Sequence, residues 1–245
     1  MPSSSIALAH ESRRSVLRSE ELATLEQVIV SCRRCPRLVA WREEVAREKR
    51  ASFRDEIYWG RPVPGFGDPE AGVVVFGLAP AAHGANRTGR FFTGDRSGDF
   101  LFASLHRTGF ANKPVSRSKN DGLRLSGLWI SAAVRCAPPQ NRPTPDERDA
   151  CLPYAARELE LLDAKVVVCL GAFAWDAALR LLGKRPKPKF AHGAEYEAGS
   201  FVLLGCYHPS QQNTFTGVLT PEMLDTVLSR SRQLSGTREG DGLVS

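Results

Sequence analysis

The stretch Gly77-Leu-Ala-Pro-Ala-Ala-His-Gly-Ala-Asn-Arg-Thr-Gly-Arg-Phe-Phe-Thr-Gly-Asp95-Arg-Ser-Gly-Asp99 decides how this chain is read. An apolar run over residues 73–78 leads into it and predicts a buried strand. Small residues follow, among them Gly77, Ala79, Ala81, Ala82, Gly84 and Ala85. They let a planar group or a sugar-phosphate approach the backbone closely. Then come His83, Asn86, Arg87, Arg90, Phe91, Phe92 and Asp95. Over residues 97–108 the apolar positions Phe100, Leu101, Ala103 and Leu105 take helical spacing. Strand, long loop and helix put this loop at the carboxyl end of a strand, where open α/β sheets bind ligands.

The alternation continues downstream. Strands are predicted over residues 128–134, 165–170 and 201–207. Thr144-Pro145-Asp146-Glu147 has the pattern of a capping box and starts a helix that carries Cys151 and runs to Leu162. Gly171 opens a helix ending near Leu182, and Pro221 opens a last one, to about Leu234. Upstream, residues 20–30 and 38–49 have helical character. Residues 54–70 and 112–124 read as connections, and 184–189 as a basic loop. This order predicts an α/β fold, a three-layer αβα sandwich around a four-stranded parallel sheet. A single domain is expected over residues 18–234, with disordered tails at 1–17 and 235–245. Three loops that follow strands, 77–95, 135–145 and 207–215, hold the unusual residues.

The 245 residues are 42% hydrophobic and 24% charged, enough for one globular domain with a sizeable core. The formal net charge of +6 suits a polyanionic partner. Residues 33–54 concentrate arginine. They read either as a solvated helix face with pairs such as Glu43–Arg47 or as a phosphate-contacting face. No apolar stretch reaches membrane-spanning length and the start lacks the apolar core of a secretory signal. A cytoplasmic protein without a membrane partner is therefore expected. In that compartment six cysteines argue for metal or redox chemistry over disulfides. Cys32 and Cys35 form a C-x2-C pair, and Cys136 and Cys151 follow far downstream. Four such thiolates can hold zinc or an iron–sulfur cluster, and spacing does not choose between them. Cys169 and Cys206 lie inside apolar runs and read as core. The five histidines lack zinc-ligand spacing, and the glycine-rich loop lacks a nucleotide-binding signature. A zinc phosphoesterase and a nucleotide-using enzyme are disfavoured on those grounds.

Three pieces together resemble the type-b branch, the fifth family, of the iron–sulfur uracil-DNA glycosylases. They are the loop at 77–99, the Cys32/Cys35/Cys136/Cys151 pattern and His208-Pro209-Ser210. The resemblance covers about residues 32–215, and its most specific part is Gly77-Leu-Ala-Pro-Ala-Ala-His-Gly84. It implies a uracil-DNA glycosylase-like sandwich and a 4Fe–4S cluster on Cys32, Cys35, Cys136 and Cys151. It also implies removal of uracil, and of other deaminated or etheno bases, from DNA, and a monomer is expected. The chain departs from the type-a branch, which has an acidic residue where Ala82 or His83 stands and an asparagine where Ala132 stands. The broader substrate range of the type-b branch goes with that departure.

Such an enzyme flips its target base out of the duplex and breaks the N-glycosidic bond through a cationic sugar and an anionic base. Under the resemblance, Asp95 orients or deprotonates the attacking water and stabilises the cation. Read from sequence alone, Asp95 equally suits a helix N-cap. His208 donates a hydrogen bond to the departing base oxygen. Asn141 stabilises the intermediate or holds base or water, with a plain turn residue as the alternative. Phe92 stacks on the flipped base, with Phe91 as the fallback, and the backbone at Ala79, Ala82 and His83 contacts base or sugar. Gln211, Gln212, Asn213 and Thr214 enter the minor groove or form a polar turn, and Arg87 and Arg90 hold phosphates. None of the three loops contains lysine, so hydrolysis leaving an intact abasic site is expected. The alternative is a metal-bearing DNA-binding module without catalysis, which leaves Asp95 and His208 unexplained.

Overall fold

The computed structural model describes residues 4–184 and 188–236. Among these residues the strands are β1 (Phe66–Gly67), β2 (Val73–Gly77), β3 (Leu128–Ala132), β4 (Val166–Leu170), β5 (Glu195–Ala198) and β6 (Phe201–Cys206). The helices are α1 (Ser4–Val30), α2 (Pro36–Glu48), α3 (Ala85–Thr88), α4 (Arg96–Arg107), α5 (Pro145–Leu161), α6 (Ala172–Leu181), α7 (Gln211–Phe215) and α8 (Pro221–Ser235).

The four apolar runs become β2, β3, β4 and β6, which pair in parallel. Each is almost continuously apolar because each is covered on both faces. Val73, Val75, Ile130, Val166 and Val168 point to one face, where Leu101 and Leu105 of α4 and Leu224 and Leu228 of α8 cover them. Phe76, Val167, Cys169 and Leu203 point to the other, against Ala155 of α5 and Trp175 and Ala178 of α6. Leu22 of α1 joins Val74 and Trp129 on that side. Cys169 and Cys206 are fully buried, and burial pushes the Cys206 thiol up to about 12.

Two corrections apply to the expected architecture. The sheet is mixed and has the order β1-β3-β2-β4-β6-β5, with β1 and β5 antiparallel at its edges. At two residues β1 is too short for a periodic signal, and the polar Glu195-Tyr196-Glu197-Ala198 does not read as a buried strand. The first helix begins at Ser4, so residues 4–17, read as part of a disordered tail, continue it. No glycine or proline interrupts the chain between Pro2 and Pro36, and buried Leu22 and Ile29 dock the helix. Residues 1–3 and 237–245 of the expected tails, and 185–187 of the basic loop, lie outside the described residues.

The strand order reverses at β2. β3 lies on one side of it and β4 on the other, and their crossover helices cover opposite faces of the sheet. This leaves a crevice beyond the carboxyl ends of β2 and β4. The loops after β2, β3 and β6 all end at that edge.

Candidate active site

Asp95 is the N-cap of α4, and its Oδ1 accepts the Gly98 N–H at 2.9 Å. Its Oδ2 is pressed against Gly84, where any Cβ would collide with it. One oxygen of the Asp95 carboxylate thus holds the helix and the other faces the loop after β2. Burial raises the Asp95 pKa above its ordinary value, and the Gly98 N–H partly offsets this.

Asp95 lines a cleft of about 890 Å³ together with Ala82, His83, Arg96, Asn141 and Gln211. Asn141 closes a 3₁₀ turn, Pro139–Asn141, and it and Gln140 take left-handed φ values of 56° and 54°. The turn reading and the cleft reading of Asn141 therefore describe the same residue. His83 is held by Tyr58, whose Oη lies 3.1 Å from His83 Nδ1. Burial and the neighbouring Arg50 and Arg87 charges lower its pKa.

The adjacent phenylalanines separate. Phe91 is 1% exposed and belongs to the core with α4 and α8. Phe92 has φ 52°, a conformation that costs a bulky residue about 1–3 kcal/mol. It is accommodated because Gly98 offers no Cβ to meet the Phe92 carbonyl. The Phe92 ring lies over Gly77 at the end of β2, with its centroid 6.1 Å from the His208 ring. Burial pulls the His208 pKa down to about 4, so the imidazole is neutral at physiological pH.

The other assigned residues divide between the cleft and its supports. Asn213 turns inward, giving its Nδ2 to the His208 carbonyl at 2.8 Å, and so braces the His208 loop. Gln212 is exposed, and its neighbour Gln211 lines the cleft. The Ala79 side chain packs with the cysteines rather than in the cleft. Arg90 is 5% exposed and is consumed by Thr93, Ser116, Asp121 and the Lys119 carbonyl. Arg87 is similarly engaged by Glu56 and by the carbonyls of His83 and Gly94. These two arginines build the loop, and the exposed cations lining the cleft are Arg50, Arg96 and Arg117. Phe215, at the end of α7, was not singled out. Its ring is 69% exposed and lies 5.3 Å from the Arg96 guanidinium. A bulky apolar residue closing the polar run 210–214 was the available signal.

Cys32, Cys35, Cys136 and Cys151 line one pocket between α2, the loop after β3 and α5. The capping box at Thr144 and Glu147 forms, and Glu147 also takes both arms of Arg37 at 2.7 and 2.6 Å, fixing α2 against α5. Arg42 is 2% exposed and donates Nη1 to Cys136 Sγ at 2.9 Å and Nη2 to the Cys32 carbonyl at 3.2 Å. Within 4 Å its carboxylate partner among the described residues is Glu43, at 3.8 Å, which is itself held by Arg33. Among the described residues no three His, Cys, Asp or Glu side chains are grouped tightly enough to hold a metal ion, and no helix is long and apolar enough to cross a membrane.

The sequence model of the uracil DNA glycosylase superfamily matches residues 64–231. The chain is 56% identical over 220 residues to the type-5 uracil-DNA glycosylase of Mycobacterium tuberculosis, covering 88% of this chain and 82% of that protein. It is 55% identical over 213 residues to the type-5 uracil-DNA glycosylase of Thermus thermophilus, covering 86% and 96%. The type-5 protein of Pyrobaculum aerophilum is 47% identical over 208 residues, covering 85% and 91%. By sequence this chain belongs to the uracil-DNA glycosylase superfamily and, within it, to the type-5 uracil-DNA glycosylases.

Proposed function

We propose that this protein is a monofunctional DNA base-excision repair glycosylase that hydrolyses the N-glycosidic bond of uracil, and of other deaminated or etheno bases, flipped out of DNA. The observation that carries this reading is the meeting of Asp95 and Asn141 in one cationic cleft; Phe92, three residues before Asp95, brings its ring to His208 outside the residues that line that cleft. The flipped base stacks on Phe92. As the glycosidic bond breaks, its electron pair leaves with the base, and neutral His208 donates an N–H to the base oxygen. The Asp95 carboxylate stabilises the cationic sugar and takes the proton of the water that adds to the anomeric carbon. Asn141 holds water or base. Among the described residues no lysine lines the cleft, which leaves no lysine amine there for a lyase step.

A 4Fe–4S cluster on Cys32, Cys35, Cys136 and Cys151 fits the chemistry of the pocket. A buried guanidinium without a carboxylate in direct contact calls for negative charge at the Cys136 sulfur it touches. A zinc ion would need all four sulfurs about 2.3 Å from one point, whereas a polynuclear cluster spreads its ligands further apart. Bound there, the cluster supplies a structural tie between α2 and the 136–151 segment. Six cysteines that read as ligands or core suit a cytoplasmic protein, and the scattered exposed apolar side chains among the described residues suit a monomer.

The test is cleavage of a labelled duplex carrying one uracil, developed with alkali. Alkali-dependent product from the wild type supports hydrolytic excision. Strand scission without alkali overturns the monofunctional reading, and tight, salt-sensitive binding without product favours the non-catalytic binding module.

A further inference from the structure

Residues 53–60 form a strap laid across the loop after β2. Glu56 pairs with Arg87, and Tyr58 Oη meets His83 Nδ1. The Trp59 N–H donates to the Arg87 carbonyl at 2.8 Å and the Gly60 N–H to the Asn86 carbonyl at 3.0 Å. The Arg87 guanidinium stacks 3.9 Å from the Phe53 ring centroid. Phe53, His83 and Arg87 all line the cleft, so the strap is part of its rim.

In the middle of this strap stands Ile57, 93% exposed. A lone apolar side chain on a surface ordinarily needs no explanation. This one differs because the residues on both sides of it are anchored, which holds it outward, and because a β-branched side chain has few rotamers. Among the described residues Ile57 and Phe215 are the most exposed large apolar side chains. Ile57 is flanked by Glu56 and Tyr58, which pair with cleft-lining Arg87 and His83, and Phe215, from a different segment, lies against cleft-lining Arg96.

A polyanion drawn to Arg50, Arg96 and Arg117 lays its backbone along this rim. The apolar part of duplex DNA is its base stack, and rigid apolar side chains such as isoleucine insert at base steps and unstack them. We infer that Ile57 is a wedge that enters the base stack of duplex DNA beside the nucleotide drawn into the cleft. The inference rests on the excision reading above. Its effect is confined to duplex substrates, because a single strand has no paired stack to open. Ile57 and Phe215 act on the same extruded state, so their effects are coupled rather than additive.

The experiment compares uracil release from one oligonucleotide, single-stranded and annealed, by the wild type, Ile57→Ala and Ile57→Leu. The duplex-to-single-strand ratio of kcat/KM should fall about tenfold in Ile57→Ala and stay within about twofold of the wild type in Ile57→Leu. Melting temperatures should match, since the side chain is solvent-exposed. In an Asp95→Asn background, 2-aminopurine placed beside the uracil should brighten less on binding when residue 57 is alanine. An unchanged ratio in Ile57→Ala overturns the wedge, as does an equal loss on both substrates. Absence of product from the wild type on either substrate overturns the excision reading itself.

Discussion

Around the cleft, side chains are held where an isolated peptide would not put them. Phe92 and Asn141 have left-handed backbone, and the Asp95 carboxylate is drawn out of water. Around the cysteine pocket and the adjoining end of β3, groups are tied down. Arg135 is 1% exposed and grips Glu158 with two bonds of 3.0 and 2.6 Å, while Glu158 also accepts from Ser131 and from the Gly65 N–H. Arg42 is as deeply buried but, among the described residues, donates to a sulfur and a carbonyl, with the Glu43 carboxylate 3.8 Å away. The cleft therefore spends stability on chemistry, and the other region supplies stability. Substitutions in the cleft should change rate without unfolding the protein, and substitutions in the other region should do the reverse.

The largest effect expected is on the cleft side. Asparagine caps a helix as well as aspartate does. Asp95→Asn should thus keep α4 intact while slowing uracil release about 10²–10⁴-fold. Because the fold raises the Asp95 pKa, protonation favours the folded state, and that contribution is lost as pH rises through the folded value. At neutral pH the uncharged variant should melt no lower than the wild type. Thermal melting beside the alkali assay checks both halves, and an active variant that melts lower would reverse the assignment. For the same reason wild-type rate should fall as pH drops through the raised Asp95 pKa. With His208 at about 4, it contributes no limb near the ordinary histidine pKa.

On the stability side, Glu158→Gln leaves Arg135 buried without its counter-charge and should cost about 3–5 kcal/mol in urea unfolding. Excision per folded molecule should survive. The neighbouring phenylalanines sharpen the contrast within two residues. Phe91→Ala removes a core ring and should cost about 3–5 kcal/mol. Phe92→Ala should register mainly in the rate. If the proposed cluster occupies the cysteine pocket, iron chelation combined with Arg42→Met tests whether it neutralises Arg42. Chelation should destabilise the wild type more than the variant, because in the wild type it also strands a buried charge. Equal destabilisation would separate Arg42 from the cluster.

The sequence made the central sheet legible because four apolar runs, each followed by turn-forming residues, have few other readings. The loop after β2 was legible as a site because small and polar residues at a strand end have little structural use. What remained hidden depends on partners remote in sequence. Nothing beside Arg90 announces that Asp121 and Ser116 will consume it, and nothing beside Arg87 announces Glu56. Phe91 and Phe92 are chemically identical, and only the left-handed backbone at Phe92 sends one ring to the core and the other to His208. The long α1 lacks a clear apolar stripe, so periodicity finds only its docked end.

The smallest effect divides the two roles of Asp95. Its Oδ1 holds the Gly98 N–H, and Gly98 in turn leaves room for the Phe92 carbonyl, so the cap supports the strained residue whose ring faces His208. Alanine removes both cap and charge, whereas asparagine removes the charge alone. Asp95→Ala should therefore melt below Asp95→Asn by the equivalent of about 1 kcal/mol, the usual worth of a helix N-cap. Both should release uracil at similarly low rates if the charge is what catalysis uses. If Asp95→Ala is slower still, the difference measures how much of the rate depends on the cap holding Phe92 under His208. Equal stability of the two variants would mean that α4 starts without Asp95, and would leave Gly98 as the residue that accommodates Phe92.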